Sequence, residues 1–285
     1  MLPNQLHDLG LGLLRGARLP DPVHDTCLAA LRRPGRLFSA NAVWSRLFLA
    51  WVEALTGPPA AAFLQAAMAC ECMAAGYDLV DALHDDDKLG GATTASLPHA
   101  LPAGTALLLL AQELLARLDL PAERRVLAVA AFARAGRRAC RGQLADDALR
   151  ANPAPLPDDA LAVIRWRSGA LAAAPCQCAA LLAGAPWRVV ALAGRFGQAL
   201  GCAAQLEDDL ADRTEDARGG RATVPLLLAQ LYPTEPDLVE AMTWVLVQGF
   251  LHDAAEALAR LALLSPAYPR TGALWTFLPS DLRAA

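Results

Sequence analysis

The chain has 285 residues, 55% of them hydrophobic and 6% aromatic. That is enough apolar material for one substantial core, and with no low-complexity linker to divide it a single domain over 1–285 is expected. A net charge of -4 leaves no basic face for nucleic acid, which excludes that class of partner.

The N-terminal segment MLPNQLHDLGLGLLRGARLP lacks the basic start, long apolar run and small-residue cleavage site of a secretory signal, so the cytoplasm is the expected compartment. Along the chain, apolar periodicity predicts helices over 22–33, 40–55, 59–86, 101–118, 122–150, 158–183, 187–217, 222–231 and 236–263. Breaks fall at RRPG, TGPP, SLPHALPAG, NPAPLP, ARGG and LYPTEP. No run alternates with period two, so the predicted fold class is all-α: a bundle of long helices, several of them Ala-rich enough to pack closely around a central cavity.

Residues 168–187, SGALAAAPCQCAALLAGAPW, carry no charge over about the length a bilayer needs. Ala, Gly and Pro dominate them, and Arg165, Arg167 and Arg188 flank both ends, so they read as a buried helix and no transmembrane segment is expected. The cysteines Cys27, Cys70, Cys72, Cys140, Cys176, Cys178 and Cys202 include two C-x-C pairs but no C-x-x-C, and read as small core residues.

Two rows of acids stand out. In DLVDALHDDDKLGG, Asp78, Asp81 and Asp85 recur three and four apart and rise along one face at the C-terminal end of a long helix. The helix dipole already leaves partial negative charge there, and two unit charges about 4 Å apart repel by roughly 4 kcal/mol at an effective dielectric near 20, so something positive should sit among them. In QLEDDLADRTEDARGG, Asp208, Asp212 and Asp216 recur at i, i+4 and i+8, with Asp209 beside the first and Gln205 one turn earlier. Two such rows at matching helix ends are expected to face each other across the cavity. An oxygen-only donor set suits Mg²⁺ that keeps waters and shares a diphosphate, and the absence of His from Glu-x-x-His positions speaks against a di-iron bundle.

The chain resembles the trans-isoprenyl diphosphate synthases, the polyprenyl synthetase family, over most of its length. LGCAAQLEDDLADRTEDARGGRATVPLLLA is similar to the family's second aspartate-rich stretch, with Gln205, Asp208, Asp209 and Asp212 followed by Gly220, Arg221 and Pro225. RGQLADD resembles Gly-Gln-x-x-Asp, giving Gln143 and Asp146, and RWRSGAL sits where the family has Lys-Thr, giving Arg167 and Ser168. The resemblance implies Mg²⁺ ions bridged by an allylic prenyl diphosphate, metal ligands Asp81, Asp85, Asp208, Asp209, Asp212 and Asp216, diphosphate clamps Arg167 and Arg221, and a homodimer or a heteromer with another prenyl synthase.

The first motif departs from the pattern. Counted from Glu71, it falls on Asp81-Ala82-Leu83-His84-Asp85, so its second acid is Ala82. The groups that would hold isopentenyl diphosphate are also altered: Arg36 keeps a Lys position in PGRLFS, but Ser39, Ala74, Gly90 and Gly91 replace basic or polar residues. Lys88 is the only lysine, so Arg at 36, 167 and 221 carries little meaning, whereas loss of arginine does. A charge-assisted contact to phosphate has no neutral equivalent. The expected activity is therefore ionisation of one allylic diphosphate, leaning to terpene synthase-like cyclisation or elimination; a prenyltransferase with a rearranged acceptor site and a non-catalytic partner subunit are the alternatives. Tyr77, one turn before Asp81, is either a core residue or the aromatic that floors the cavity.

Overall fold

Proline opens and glycine closes many of the helices in the computed structural model, which describes residues 2–33, 35–37, 42–84, 97–264 and 271–283. In chain order these are α1 (Leu2–Gly16), α2 (Asp21–Leu31), α3 (Val43–Thr56), α4 (Ala61–His84), α5 (Leu97–Ala116), α6 (Ala122–Ala151), α7 (Pro157–Ile164), a π-helical turn (Arg165–Gly169), α8 (Ala170–Ala183), α9 (Trp187–Ala211), α10 (Arg213–Arg218), α11 (Val224–Leu231), α12 (Pro236–Leu264), α13 (Gly272–Trp275) and a 3₁₀ turn (Ser280–Arg283). Pro157 occupies the first position of α7, where its missing N–H would be unpaired in any case. After α3 and α8, Gly57 and Gly184 take positive φ, a conformation that a side chain disfavours. No strand occurs among the described residues, so the all-α expectation holds.

Three boundaries differ from the periodicity. Helix α1 lay outside the predicted elements, because Gly10 and Gly12 weaken its helical signal. The expected helix over 158–183 is interrupted by the π turn. The one over 187–217 breaks at Asp212, whose φ of -93° and ψ of 10° leave the helical region. Asp is a weak helix former that competes for backbone hydrogen bonds, and here it separates α9 from α10.

The chain packs as two compact units, 1–132 with 178–184 and 133–177 with 185–285. In the first, α4 packs against α5, α3 and α2. Gly76 and Gly104 let α4 and α5 approach: a Cβ on Gly76 would lie 3.0 Å from the Gly104 carbonyl oxygen, and one on Gly104 would lie 3.1 Å from that of Gly76. Trp51, Phe48 and Met68 are fully buried in this unit. Pro98–Ala116 is, among the described residues, the one stretch long and apolar enough to cross a membrane, although it packs against α4 and α2.

In the second unit, α9 and α12 form the main pair. Val247, Leu251, Ala254, Leu258 and Leu261 of α12 are spaced three and four apart and buried, a continuous apolar stripe facing α9 and its neighbours. Six of the seven cysteines are buried, and burial pushes the thiols of Cys27 and Cys202 up to about 12. Cys140 is the exception to the expected core role, because it lies on an exposed face of α6.

Candidate active site

Four pieces of the second unit bring polar side chains together: the C-terminal half of α6, the π turn, the C-terminal end of α9, and the segment from α10 to Arg221. The π turn holds Arg167 and Ser168. An added residue in the helical ladder commonly re-aims side chains at functional sites. Its neighbour on α6 is Gly142, where a Cβ would meet Arg167 Cγ at 2.6 Å and the Arg167 backbone nitrogen at 3.0 Å. Only the absence of a side chain at 142 lets the turn lie this close.

Asp146 Oδ2 accepts from Arg150 Nη2 at 2.6 Å and from Arg167 Nη1 at 3.2 Å. The Asp146 carboxylate is 8% exposed and sits between two guanidiniums, which fixes the direction of Arg167. Arg150 escaped the sequence reading, although its place four residues after Asp146 on a helix is the spacing that pairs opposite charges. One turn before Asp146, the Gln143 Nε2 amide is buried with no hydrogen-bond partner among the described residues. An unmatched donor of this kind is suited to an anionic oxygen.

A second chain of contacts runs from the π turn to α9. Ser168 Oγ donates to Gln205 Oε1 at 2.5 Å, and Gln205 Nε2 donates to Asp209 Oδ1 at 2.8 Å. Thus Gln205 is fixed at both ends and presents its N–H to a carboxylate. Asp209 is 7% exposed. Burial pushes its carboxyl up to about 7, aided by Asp216 and Asp208 and opposed by Gln205 and Arg167.

The neighbouring acids show the same strain in milder form. Asp208 is raised by burial and by Asp212, and Glu207 by burial and by Asp208. Asp216 is raised mainly by burial against the opposing pull of Arg221, whose Nε lies 3.5 Å from its Oδ1. Because α9 ends at Ala211, the expected unbroken row is divided: Asp208 stands on α9, Asp212 at the junction and Asp216 on α10.

The crowding of these carboxylates favours a cation beside them, and all their donor atoms are oxygens. Among the described residues no three His, Cys, Asp or Glu side chains converge as a closed protein cage. That donor set fits Mg²⁺, which keeps several waters and shares phosphate oxygens, and does not fit a structural transition-metal site.

In the first unit, the acid row on α4 has found its positive partner. Arg36 Nε and Nη2 donate to the two carboxylate oxygens of Asp78 at 2.6 and 2.7 Å. Asp78 is thus engaged by Arg36 in a bidentate pair. Asp81 and Tyr77 are half-buried on α4, Ala82 and Ala74 are buried, and His84 is exposed. Asp85, Ser39, Gly90 and Gly91 lie outside the described residues. Glu71 Oε1 accepts the backbone N–H of Ser45 at 2.7 Å and so satisfies a free donor at the start of α3. Burial raises its carboxyl, and Oε2 has no hydrogen-bond partner among the described residues.

The family described as Polyprenyl synthetase matches residues 45–222, more than half of the chain. Over 111 residues the chain is 40% identical to the (2E,6E)-farnesyl diphosphate synthase of Mycobacterium bovis, and equally to that of Mycobacterium tuberculosis. The match takes in 39% of this chain and spans only 30% of the length of these curated relatives. Among solved structures, a geranylgeranyl pyrophosphate synthetase from Geoglobus acetivorans superposes with a TM-score of 0.78 at 20% identity, covering 96% of this chain and 97% of that one. A polyprenyl synthetase from Streptomyces coelicolor gives 0.74 at 23%, covering 97% and 98%. At these identities the structural likeness establishes the all-α fold.

Proposed function

Because the chain belongs to the polyprenyl synthetase family, we propose that it is a Mg²⁺-dependent enzyme that binds an allylic prenyl diphosphate and ionises it. The observation that carries this reading is the linked set in the second unit: Arg150 and Asp146 hold Arg167, while Ser168 and Gln205 hold Asp209. In this reading Asp208, Asp209, Asp212 and Asp216 bind the magnesium ions, and Asp81 and Asp85 add to them from the first motif. Arg167, Arg221 and the Gln143 amide contact diphosphate oxygens. Tyr77 limits the length of the prenyl chain. The assembly that accompanies this reading is a homodimer.

The reacting bond is the one between the allylic carbon and the diphosphate oxygen. It breaks with its electron pair on the oxygen and leaves an allylic cation. Bound Mg²⁺ supplies Lewis-acid stabilisation of the leaving diphosphate. Arg167 is already aimed by Asp146, so its positive charge needs no reorganisation as negative charge develops on the leaving group. Gln205 keeps the buried Asp209 in one orientation, so a carboxylate made costly by burial is ready for a cation.

For the fate of the allylic cation, transfer to a second isoprenoid is the first reading, supported by the 40% identity to farnesyl diphosphate synthases. There the double bond of the acceptor supplies the electrons of the new carbon–carbon bond, and a proton leaves with the diphosphate as base. A second reading, cyclisation or proton loss without an acceptor, is favoured by one observation: Arg36, the basic residue kept at the expected acceptor site, is held by Asp78 through Nε and Nη2. Purified protein incubated with Mg²⁺ and geranyl, farnesyl or geranylgeranyl diphosphate, with and without isopentenyl diphosphate, separates the two. Longer diphosphates formed only with isopentenyl diphosphate support transfer; hydrocarbons or alcohols formed without it support the second. No consumption under any of these conditions contradicts both and leaves a non-catalytic partner role.

A further inference from the structure

Helices α9 and α12 do more than bury their shared stripe. At the N-terminal half of α9 and the C-terminal end of α12 they leave an open groove of about 430 Å³, lined by Arg188, Ala191, Leu192, Arg195, Arg260, Leu263 and Leu264. Asp208 lies twenty residues along α9 from Arg188, on the order of 30 Å at helical rise, so the groove is separate from the acidic end of the helix.

Its chemistry is mixed in a particular way. Leu263 is 86% exposed, Leu264 44%, and Trp187, one turn before Ala191, 67%. Large apolar side chains this open to water have no role in the core. Around them stand three guanidiniums and one acid. Glu256 sits between Arg260, at 2.5 Å, and Arg195, at 3.7 Å. Arg188 has no ion pair among the described residues. The local balance is therefore positive on a chain whose overall charge is -4.

We propose that this face docks on the surface of an anionic phospholipid bilayer, with Trp187, Leu263 and Leu264 entering the interfacial layer and Arg188, Arg195 and Arg260 meeting lipid phosphates. The groove is too open to enclose a small ligand. Exposed Leu and Trp flanked by arginine, here across the ends of two neighbouring helices, is the combination found where a protein surface lies in a membrane interface. Arginine stems cover apolar surface while their heads stay at the depth of the phosphates, and a Trp prefers that same boundary. The binding is peripheral and reversible, and it stands independently of the proposed chemistry.

Flotation of the full chain with vesicles tests it. Vesicles of phosphatidylcholine alone are compared with vesicles containing phosphatidylglycerol as about a third of the lipid, at about 0.05 and about 0.5 M salt. The protein should float with the anionic vesicles at low salt and be released at high salt. Arg188→Gln with Arg260→Gln should weaken binding roughly 30-fold, at about fivefold per charge removed from the surface. Leu263→Ser should weaken it as well, with unfolding temperature and vesicle-free turnover unchanged. Release by inorganic phosphate at low ionic strength would mean a free-anion site and overturn the membrane assignment. So would equal binding to neutral vesicles, or no binding to either. A change in oligomeric state of Leu263→Ser by sedimentation, without loss of flotation, would assign the face to a second copy of the chain and overturn it too. The salt and lipid dependence of the unaltered protein decides the matter even if a variant folds poorly.

Discussion

Asp209 carries the clearest electrostatic demand in the molecule. Its carboxyl rises from an ordinary 3.8 to about 7, first because it is buried. The folded chain therefore holds one more proton than the unfolded chain between about pH 4 and 7. Stability from this group is fully present below pH 4, falls as pH rises through that window, and levels off above about pH 7. The upper bound on the effect is roughly 4 kcal/mol. Asp209→Asn keeps an acceptor for the Gln205 amide but removes the ionisation. In chelator at pH 8 this variant should unfold at a higher temperature than the natural chain, with the difference shrinking toward pH 5. The same substitution should abolish magnesium-dependent stabilisation. A natural chain whose unfolding temperature does not fall between pH 5 and 8 contradicts the assignment. The Arg36–Asp78 pair gives a second test at this scale. Both groups are mostly buried and the contact is bidentate, so Arg36→Met and Asp78→Asn should each destabilise the chain by about 1–3 kcal/mol. The double variant should lose less than the sum, read from urea unfolding as a coupling.

At the level of elements, the helices were legible because proline, glycine and apolar spacing agree along most of the chain. What the sequence could not show was where a helix changes character. The π turn rests on Gly142, far away in sequence, whose missing side chain makes room for Arg167. Periodicity within 158–183 contains no trace of that neighbour. The end of α9 at Asp212 was hidden for a similar reason: acids at i, i+4 and i+8 suggest an unbroken face, while the backbone turns at the middle one. A Cβ at 142 would press on backbone atoms, which yield less than a flexible side chain. Gly142→Val should therefore destabilise the chain by about 1–3 kcal/mol and, by moving Arg167, lower turnover at least tenfold; unchanged turnover would detach the π turn from catalysis. On the opposite face, Leu258 is fully buried in the α9–α12 stripe. Leu258→Ala should cost about 2–5 kcal/mol in denaturant unfolding, with magnesium binding intact in the folded fraction.

For the whole molecule, the resemblance carried by GQLADD, RWRSG and QLEDDLAD led to the right family, and the match over residues 45–222 establishes it. Within the second unit those three motifs do converge through side-chain contacts, which linear spacing alone does not require. The first motif remains legible only as composition, because Asp85 and the residues after it fall outside the described structure. The expected lean toward cyclisation finds no support among the curated relatives, which are (2E,6E)-farnesyl diphosphate synthases. The central claim is that this chain ionises an allylic diphosphate with magnesium held by the acids of α9. The most direct measurement is release of inorganic diphosphate from geranyl and farnesyl diphosphates by the natural chain and by Asp208→Asn and Arg167→Gln, with and without Mg²⁺ and with and without isopentenyl diphosphate. The account predicts release from at least one substrate that requires Mg²⁺ and falls roughly 100-fold in either variant; release that persists in chelator, or that both variants retain, would contradict it.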